Sequence, residues 1–258
     1  MKQFTSHINR IAALCEDMLE LSFAWPAPVR APTPGQFVTI RVHDGIQPLL
    51  RRPLAISDFD GKKRAASIIF QKRGPATSLL AAKSVGDELD VIGPLGNSFV
   101  MPGKQHKAIV IAGGIGLGPM LFLARTIARR HSLAKFIFGA RTKALVPASR
   151  VFKGLSAAIC TDDGSAGFLG TVMDYLRALP LPKINGAHLY ACGPHPMLAA
   201  CHQFAAEHDI PCHVSVEQVM ACGVGACMGC VVKVAKGPGF ARACTEGPVF
   251  EIRELIWE

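Results

Sequence analysis

Four cysteines carry the most specific chemistry in this chain. Three of its nine cysteines crowd into Cys222-Gly223-Val224-Gly225-Ala226-Cys227-Met228-Gly229-Cys230, and Cys244 follows after thirteen intervening residues. C-x4-C-x2-C with a distant fourth cysteine is the ligand spacing of a plant-type [2Fe–2S] cluster. Such a cluster needs four thiolates converging from one side. Gly223, Gly225 and Gly229 let the loop curl without Cβ clashes. They also leave backbone N–H groups free to bond cluster sulfurs. A structural zinc site, the competing reading, would show two paired knuckles, and Cys244 has no knuckle partner. Of the other cysteines, Cys201-His202, His208 and Cys212-His213 fit no familiar metal-site spacing.

Two glycine-rich turns are candidates for binding phosphate. Gly113, Gly114, Gly116, Gly118 and Pro119 follow an apolar run and precede a helical one. The amides and dipole of a helix N-terminus attract a pyrophosphate there, although the turn is not the G-x-G-x-x-G fingerprint. Cys192, Gly193 and Pro194 form a second turn of this kind, with Asp162 and Asp163 ending another strand on the same edge. Each turn, taken alone, is also compatible with a plain strand-to-helix connection.

The elements that must position these groups fall into three regions. Up to about residue 100, short strands such as 36–42 and 66–71 alternate with Pro and Gly, which reads as a β-barrel. Beyond 107, apolar runs at 108–112, 136–139, 157–161, 187–191 and 213–217 alternate with helical stretches such as 121–130. That alternation predicts a parallel sheet covered by helices. The cysteine cluster and a short tail close the chain.

Composition narrows the function classes. Half the residues are hydrophobic and 18% are charged, which excludes a disordered chain. The net charge of +9 is scattered, its densest groups being Lys62-Lys63-Arg64 and Arg129-Arg130-His131, so a nucleic-acid stripe is not expected. The apolar stretch 108–124 is too short and too glycine-rich to span a bilayer. Glu16, Asp17 and Glu20 interrupt any signal-like apolar region. The odd cysteine count argues against a disulfide framework, and together these readings point to the cytoplasm.

Pro34-Gly35-Gln36-Phe37, Arg51-Arg52-Pro53-Leu54, Gly93-Pro94-Leu95-Gly96, the glycine turn, Cys192-Gly193-Pro194 and the four-cysteine tail occur in this order. The sequence resembles the ferredoxin–NAD(P) reductase superfamily. Within it, the chain is similar to the electron-transfer subunits of NAD-linked dihydroorotate dehydrogenases, from about residue 5 to Trp257. The resemblance implies an antiparallel FAD-binding β-barrel at 1–101, a parallel α/β nucleotide-binding sheet at 102–212 and a small [2Fe–2S] domain at 213–258. It implies that Arg52 pairs with the FAD pyrophosphate. Pro53, Leu54, Ala55, Ile69, Phe70, Gln71, Ala76 and Thr77 then make the other flavin contacts. Gly113, Gly114, Gly116, Cys192, Gly193 and Pro194 face NAD, with Cys192 near the nicotinamide. Cys222, Cys227, Cys230 and Cys244 hold the cluster. The implied partner is an FMN-containing catalytic subunit, in a heterotetramer. Three positions depart from the family pattern: Ala55 stands for Ser, Ala76 for Gly, and Glu246 for Asp.

Two other functions stay open on the sequence. One is a reductase subunit of a hydrogenase or ferredoxin-linked transhydrogenase, which shares these motifs. The other is a zinc-binding regulatory protein. The choice between NADH and NADPH is weakly marked, by Arg141 and Lys143 after the second strand of the sheet.

Overall fold

The first six strands alternate inward apolar and outward polar side chains, and the sheet they form closes on itself. In the computed structural model they are β1 (Lys2–Ala13), β2 (Met18–Ala24), β3 (Phe37–Arg41), β4 (Arg52–Asp60), β5 (Ala65–Gln71) and β6 (Glu88–Leu95). The barrel order is β1-β2-β5-β4-β3-β6, with every pairing antiparallel. Ile8, Leu21, Phe23, Val38, Ile40, Ile56 and Phe70 fill its interior. Helix α1 (Pro75–Ala81) follows β5. The structure describes residues 1–103, 106–130, 132–180, 184 and 186–257. His131 of the basic group, and position 258 at the end of the expected third domain, lie outside the described residues.

The second sheet uses β7 (Lys107–Gly113), β8 (Leu133–Ala140), β9 (Ala157–Thr161), β10 (Phe168–Leu169), β11 (Ala187–Cys192), β12 (Cys212–Ser215) and β15 (Val249–Glu251). Its order is β10-β9-β8-β7-β11-β12-β15. The central strands are parallel and buried on both faces, as their continuous apolar runs require. Helices α2 (Leu117–Ala128), α3 (Val172–Arg177) and α4 (His195–Glu207) provide the cover. Among the described residues, no helix is long and apolar enough to cross a membrane.

Helix α2 joins the two units. Phe122 inserts into the barrel core, a burial worth roughly 1.5–3 kcal/mol. Gly118 faces β4 and β5, where a Cβ would make ordinary contacts with Ile69 at 3.7 Å and Ser57 at 3.9 Å. Arg125 donates to Asp58 at 2.7 Å and to the Val151 carbonyl at 3.2 Å.

Between β12 and β15 lies the cysteine segment, with the hairpin β13 (Val231–Lys233) and β14 (Phe240–Arg242). β15 then returns antiparallel to β12 and completes the second sheet. Asn97 of the barrel grips this return. Its Nδ2 donates to the carbonyls of Glu246 and Val249, and its Oδ1 accepts from the Val249 amide. The strand expected at 213–217 ends at Ser215: the Val216 amide still bonds the Pro248 carbonyl, but Pro248 has no N–H to return the bond.

Candidate functional site

A cavity of about 340 Å3 opens where barrel, sheet and cysteine segment meet, within the usual size range of small-molecule sites. From the barrel it is lined by Phe37, Arg52, Pro53, Leu54, Ala55, Ile69, Phe70, Gln71, Arg73 and Thr77. From the sheet come Ile115, Gly116, Pro119, Cys192 and Gly193, at the carboxyl ends of β7 and β11.

Strand geometry explains the barrel side. β4 carries Arg52 to Ala55 along one wall, with Ala55 paired across the sheet to Phe37. The neighbouring Arg51 is committed elsewhere, to the Asp90 carboxylate and carbonyl. Among the described residues, Arg52 bonds only main-chain carbonyls, at Leu50 (2.9 Å) and Arg51 (3.5 Å). Its guanidinium therefore keeps donors for an anion.

The sheet side depends on two glycine turns in direct contact. A Cβ on Gly116 would lie 2.1 Å from the Cys192 carbonyl oxygen, and one on Gly193 would lie 3.1 Å from the Gly113 Cα. Burial pushes the Cys192 thiol up to about 12, reinforced by the nearby Glu217 carboxylate and partly offset by Ser215. Burial thus favours the neutral thiol at the cavity wall.

The structure distributes the expected ligands unevenly. Ala76 packs into the barrel core, away from the cavity lining. Gly113 makes room for Met197 and Pro194, and Gly114 faces open space at a φ of +52°. Pro194 lines a neighbouring cavity with His195 and Trp257. Asp163 is held by the amide and hydroxyl of Ser165. Of the second suggested metal group, Cys201 points at Met173 while His202 stacks on Trp257. Ser215, Val216, Glu217, Gln218, Met220 and Pro248 also line the main cavity, and the sequence reading did not single them out. The signal for the first of them was their place just past a strand's carboxyl end.

Of the four cysteines, Cys230 and Cys244 pack in a small core with Phe37 and Met220 of the cavity lining. The amides of Val224 (3.4 Å) and Ala226 (3.3 Å) point at the Cys222 sulfur, and the Gly229 amide at the Cys227 sulfur (3.4 Å). Main-chain amides, that of Val224 first, hold the Cys222 thiol below its ordinary value, whereas burial and the neighbouring Cys230 push Cys244 up. The side chains contact in two pairs, Cys222 with Cys227 and Cys230 with Cys244. Among the described residues, no three His, Cys, Asp or Glu side chains close around a single ion. Soft ligands in two pairs, with amides on the sulfurs, fit a two-iron cluster. The cavity fits a flavin: an apolar slot, a guanidinium with spare donors, and a buried Gln71 oxygen without a partner.

Comparison with known proteins agrees with this arrangement. Residues 217–256 match the family model for the iron–sulfur cluster binding domain of dihydroorotate dehydrogenase B. Across 261 aligned residues the chain is 35% identical to the dihydroorotate dehydrogenase B (NAD(+)) electron transfer subunit of Desulforamulus reducens, covering 100% of this chain and 99% of that one. The chain belongs to this family. The Geobacillus kaustophilus member is 39% identical over 227 residues, 86% of each chain. Among solved structures, a chain of NADH-dependent reduced ferredoxin–NADP oxidoreductase superposes with a TM-score of 0.84 at 28% identity, covering 98% of this chain and 90% of that one. The ferredoxin reductase of carbazole 1,9a-dioxygenase shares the fold, with a TM-score of 0.72 at 23% identity, covering 83% and 68%. The architecture expected for the family, an antiparallel barrel followed by a parallel sheet and an iron–sulfur segment, is the one observed.

Proposed function

We propose that this chain passes electrons from a partner dihydroorotate dehydrogenase subunit, through a [2Fe–2S] cluster and FAD, to NAD+. One observation carries the reading. Phe37 and Met220 line the cavity, and they share a small core with Cys230 and Cys244. The flavin slot and the cluster loop are thus two faces of one packed unit.

Dihydroorotate loses two electrons and two protons as it becomes orotate. NAD+ takes both electrons and one proton, and the other proton goes to solvent. When bound, FAD links the one-electron chemistry of a cluster to the two-electron chemistry of a nicotinamide. The chain supplies binding and orientation. Arg52, with Arg73 and Thr77 beside it, holds the pyrophosphate. Pro53, Leu54, Ala55, Ile69, Phe70 and Gln71 line the ring and its tail. Gly116, Cys192 and Gly193 leave a flat approach for the nicotinamide, while Gly113, Gly114 and Pro194 shape the turns that carry it. Cys222, Cys227, Cys230 and Cys244 ligate the cluster, and their amide neighbours shield its charge. Phe37, Ile69, Pro119 and Met220 exclude water from the slot.

The domain limits we assign are 1–101 for FAD, 102–212 for NAD and 213–258 for the cluster. β15 is a segment of the third domain that completes the sheet of the second. The partner is an FMN-containing catalytic subunit, with two copies of each chain in the assembly. The protein acts in the cytoplasm, in keeping with the free thiols of Cys160, Cys201 and Cys212.

The test is purification with the catalytic chain, followed by assay with dihydroorotate and NAD+. The complex should form NADH. This chain alone should oxidise NADH with a dye and leave dihydroorotate untouched. A complex with full cofactors and no such activity would refute the reading. The likeness to the ferredoxin–NADP oxidoreductase chain favours one other reading, a subunit serving a ferredoxin-linked enzyme. Ferredoxin-dependent NADH formation by the native complex would select it.

A further inference from the structure

One polar side chain in the flavin slot is fixed so that it can only accept a hydrogen bond. Gln71, the last residue of β5, is 8% exposed. Its Nε2 donates to Asp17 Oδ2 at 2.8 Å, and its Oε1 has no partner. The side chain lines the cavity, whereas Asp17 does not.

Chemistry sets the orientation of this amide. An ionised carboxylate only accepts, so the NH2 group of Gln71 must face Asp17. The reverse orientation would set an amide oxygen against a carboxylate oxygen. Asp17 is itself anchored between β1 and β2: its main-chain oxygen accepts from the Lys72 amide at 3.1 Å. Its other carboxylate oxygen faces the Cys15 thiol at 3.8 Å. The Gln71 oxygen is left buried and without a donor, a situation native proteins correct with a partner. Two cationic groups line the cavity, Arg52 and Arg73, and neither bonds this oxygen.

We propose that Gln71 accepts a hydrogen bond from the bound flavin, and that Asp17 is the positioning residue that orients it. This rests on the cavity being the FAD site. The donor is an N–H or O–H group. On oxidised FAD the candidates within such a slot are the single ring N–H, on the imide nitrogen, and the ribityl hydroxyls. Asp17 thereby acts on flavin binding without touching it. The residue lies in a turn that carries no other recognisable signal.

The experiment uses the full chain stripped of FAD and titrated with FAD by flavin fluorescence. Gln71→Met, of similar volume, should weaken binding about tenfold, the scale of one buried hydrogen bond. Asp17→Asn should weaken it about threefold, because a carboxamide accepts either face of the Gln71 amide. The double variant should bind no more weakly than Gln71→Met alone, since Asp17 acts only through Gln71. Gln71→Leu substitutes if the Met variant fails to fold. FAD methylated on the imide nitrogen distinguishes the donors. Discrimination against it by the wild type, lost in Gln71→Met, assigns the ring N–H; no discrimination assigns a ribityl hydroxyl. Unchanged affinity in Gln71→Met, or additive losses in the double variant, would overturn the proposal. A wild-type chain that takes up no FAD would instead refute the flavin site itself.

Discussion

Gly116→Ala is the most exacting test of how the nicotinamide site is assembled. Gly116 has an ordinary helical φ of −57°, so an alanine incurs no backbone penalty there. The obstacle is entirely steric. The new methyl would lie 2.1 Å from the Cys192 carbonyl oxygen, 2.4 Å from its carbon and 2.9 Å from the Gly193 amide. All three are backbone atoms and cannot rotate away. Ordinary contact begins near 3.4 Å, so the two turns must separate by roughly 1 Å, a misplacement that can cost about a hundredfold in rate. Overpacking of this kind costs about 1–3 kcal/mol, which lowers the melting temperature by several degrees. The assay is NADH oxidation with a two-electron dye on flavin-loaded chain, alongside thermal unfolding. Activity should fall roughly a hundredfold with FAD still bound. Gly114→Ala is the contrast, since its φ is +52° but no atom lies within 4 Å. It should lose about 1 kcal/mol of stability and keep most of its activity. Wild-type NADH oxidation in Gly116→Ala would refute the claim that contact between the turns shapes the site.

Further outcomes follow from the same geometry. Arg52→Ala should weaken FAD binding by about 1.5–3 kcal/mol while the cluster's visible spectrum survives; FAD titration and absorbance measure both. Cys227→Ser should abolish dihydroorotate-to-NAD+ transfer in the complex but spare much of the NADH–dye reaction, measured on one preparation with flavin content checked. Arg242 bridges the Gly225 carbonyl of the cluster loop (2.8 Å) and the Glu246 carboxylate, so Arg242→Gln should shift the cluster midpoint potential negative in a redox titration. Burial first, and His213 second, hold His188 down to about 4, well below the ordinary imidazole value. Below pH 6.5 the unfolded chain then binds the proton that the folded chain refuses. Urea midpoints should therefore fall between pH 6.5 and about 4, and His188→Gln should flatten that slope.

Much of the candidate site was legible because the chemistry proposed for it demands particular residue types at short spacing. The cysteines at 222, 227, 230 and 244 could be read without any knowledge of packing. The Arg51-Arg52 pair was only half legible: nothing in the sequence says that Arg51 turns to Asp90 while Arg52 faces the cavity. Ala76 was expected at the flavin, but the first turn of α1 rotates it into the barrel. The Asp17–Gln71 contact joins residues 54 positions apart, and no periodicity encodes it. The return of β15 was equally hidden. A three-residue strand leaves too little pattern, and its partner β12 lies more than thirty residues earlier. In the barrel and parallel sheet, by contrast, long apolar runs and regular turns carry the fold class.

That return has a consequence for how fast electrons can move. The cysteine segment leaves the sheet at Ser215 and re-enters it at Val249, with Asn97 clasping the second joint. A ferredoxin tethered by one end must diffuse into position before each transfer, so solvent friction enters its rate. A loop moored at both ends to the same sheet has no such search to make. The fold thus sets the spacing between the cavity and the cysteine loop, and transfer between a flavin and a cluster held there should run at the same speed in buffer and in viscous sucrose.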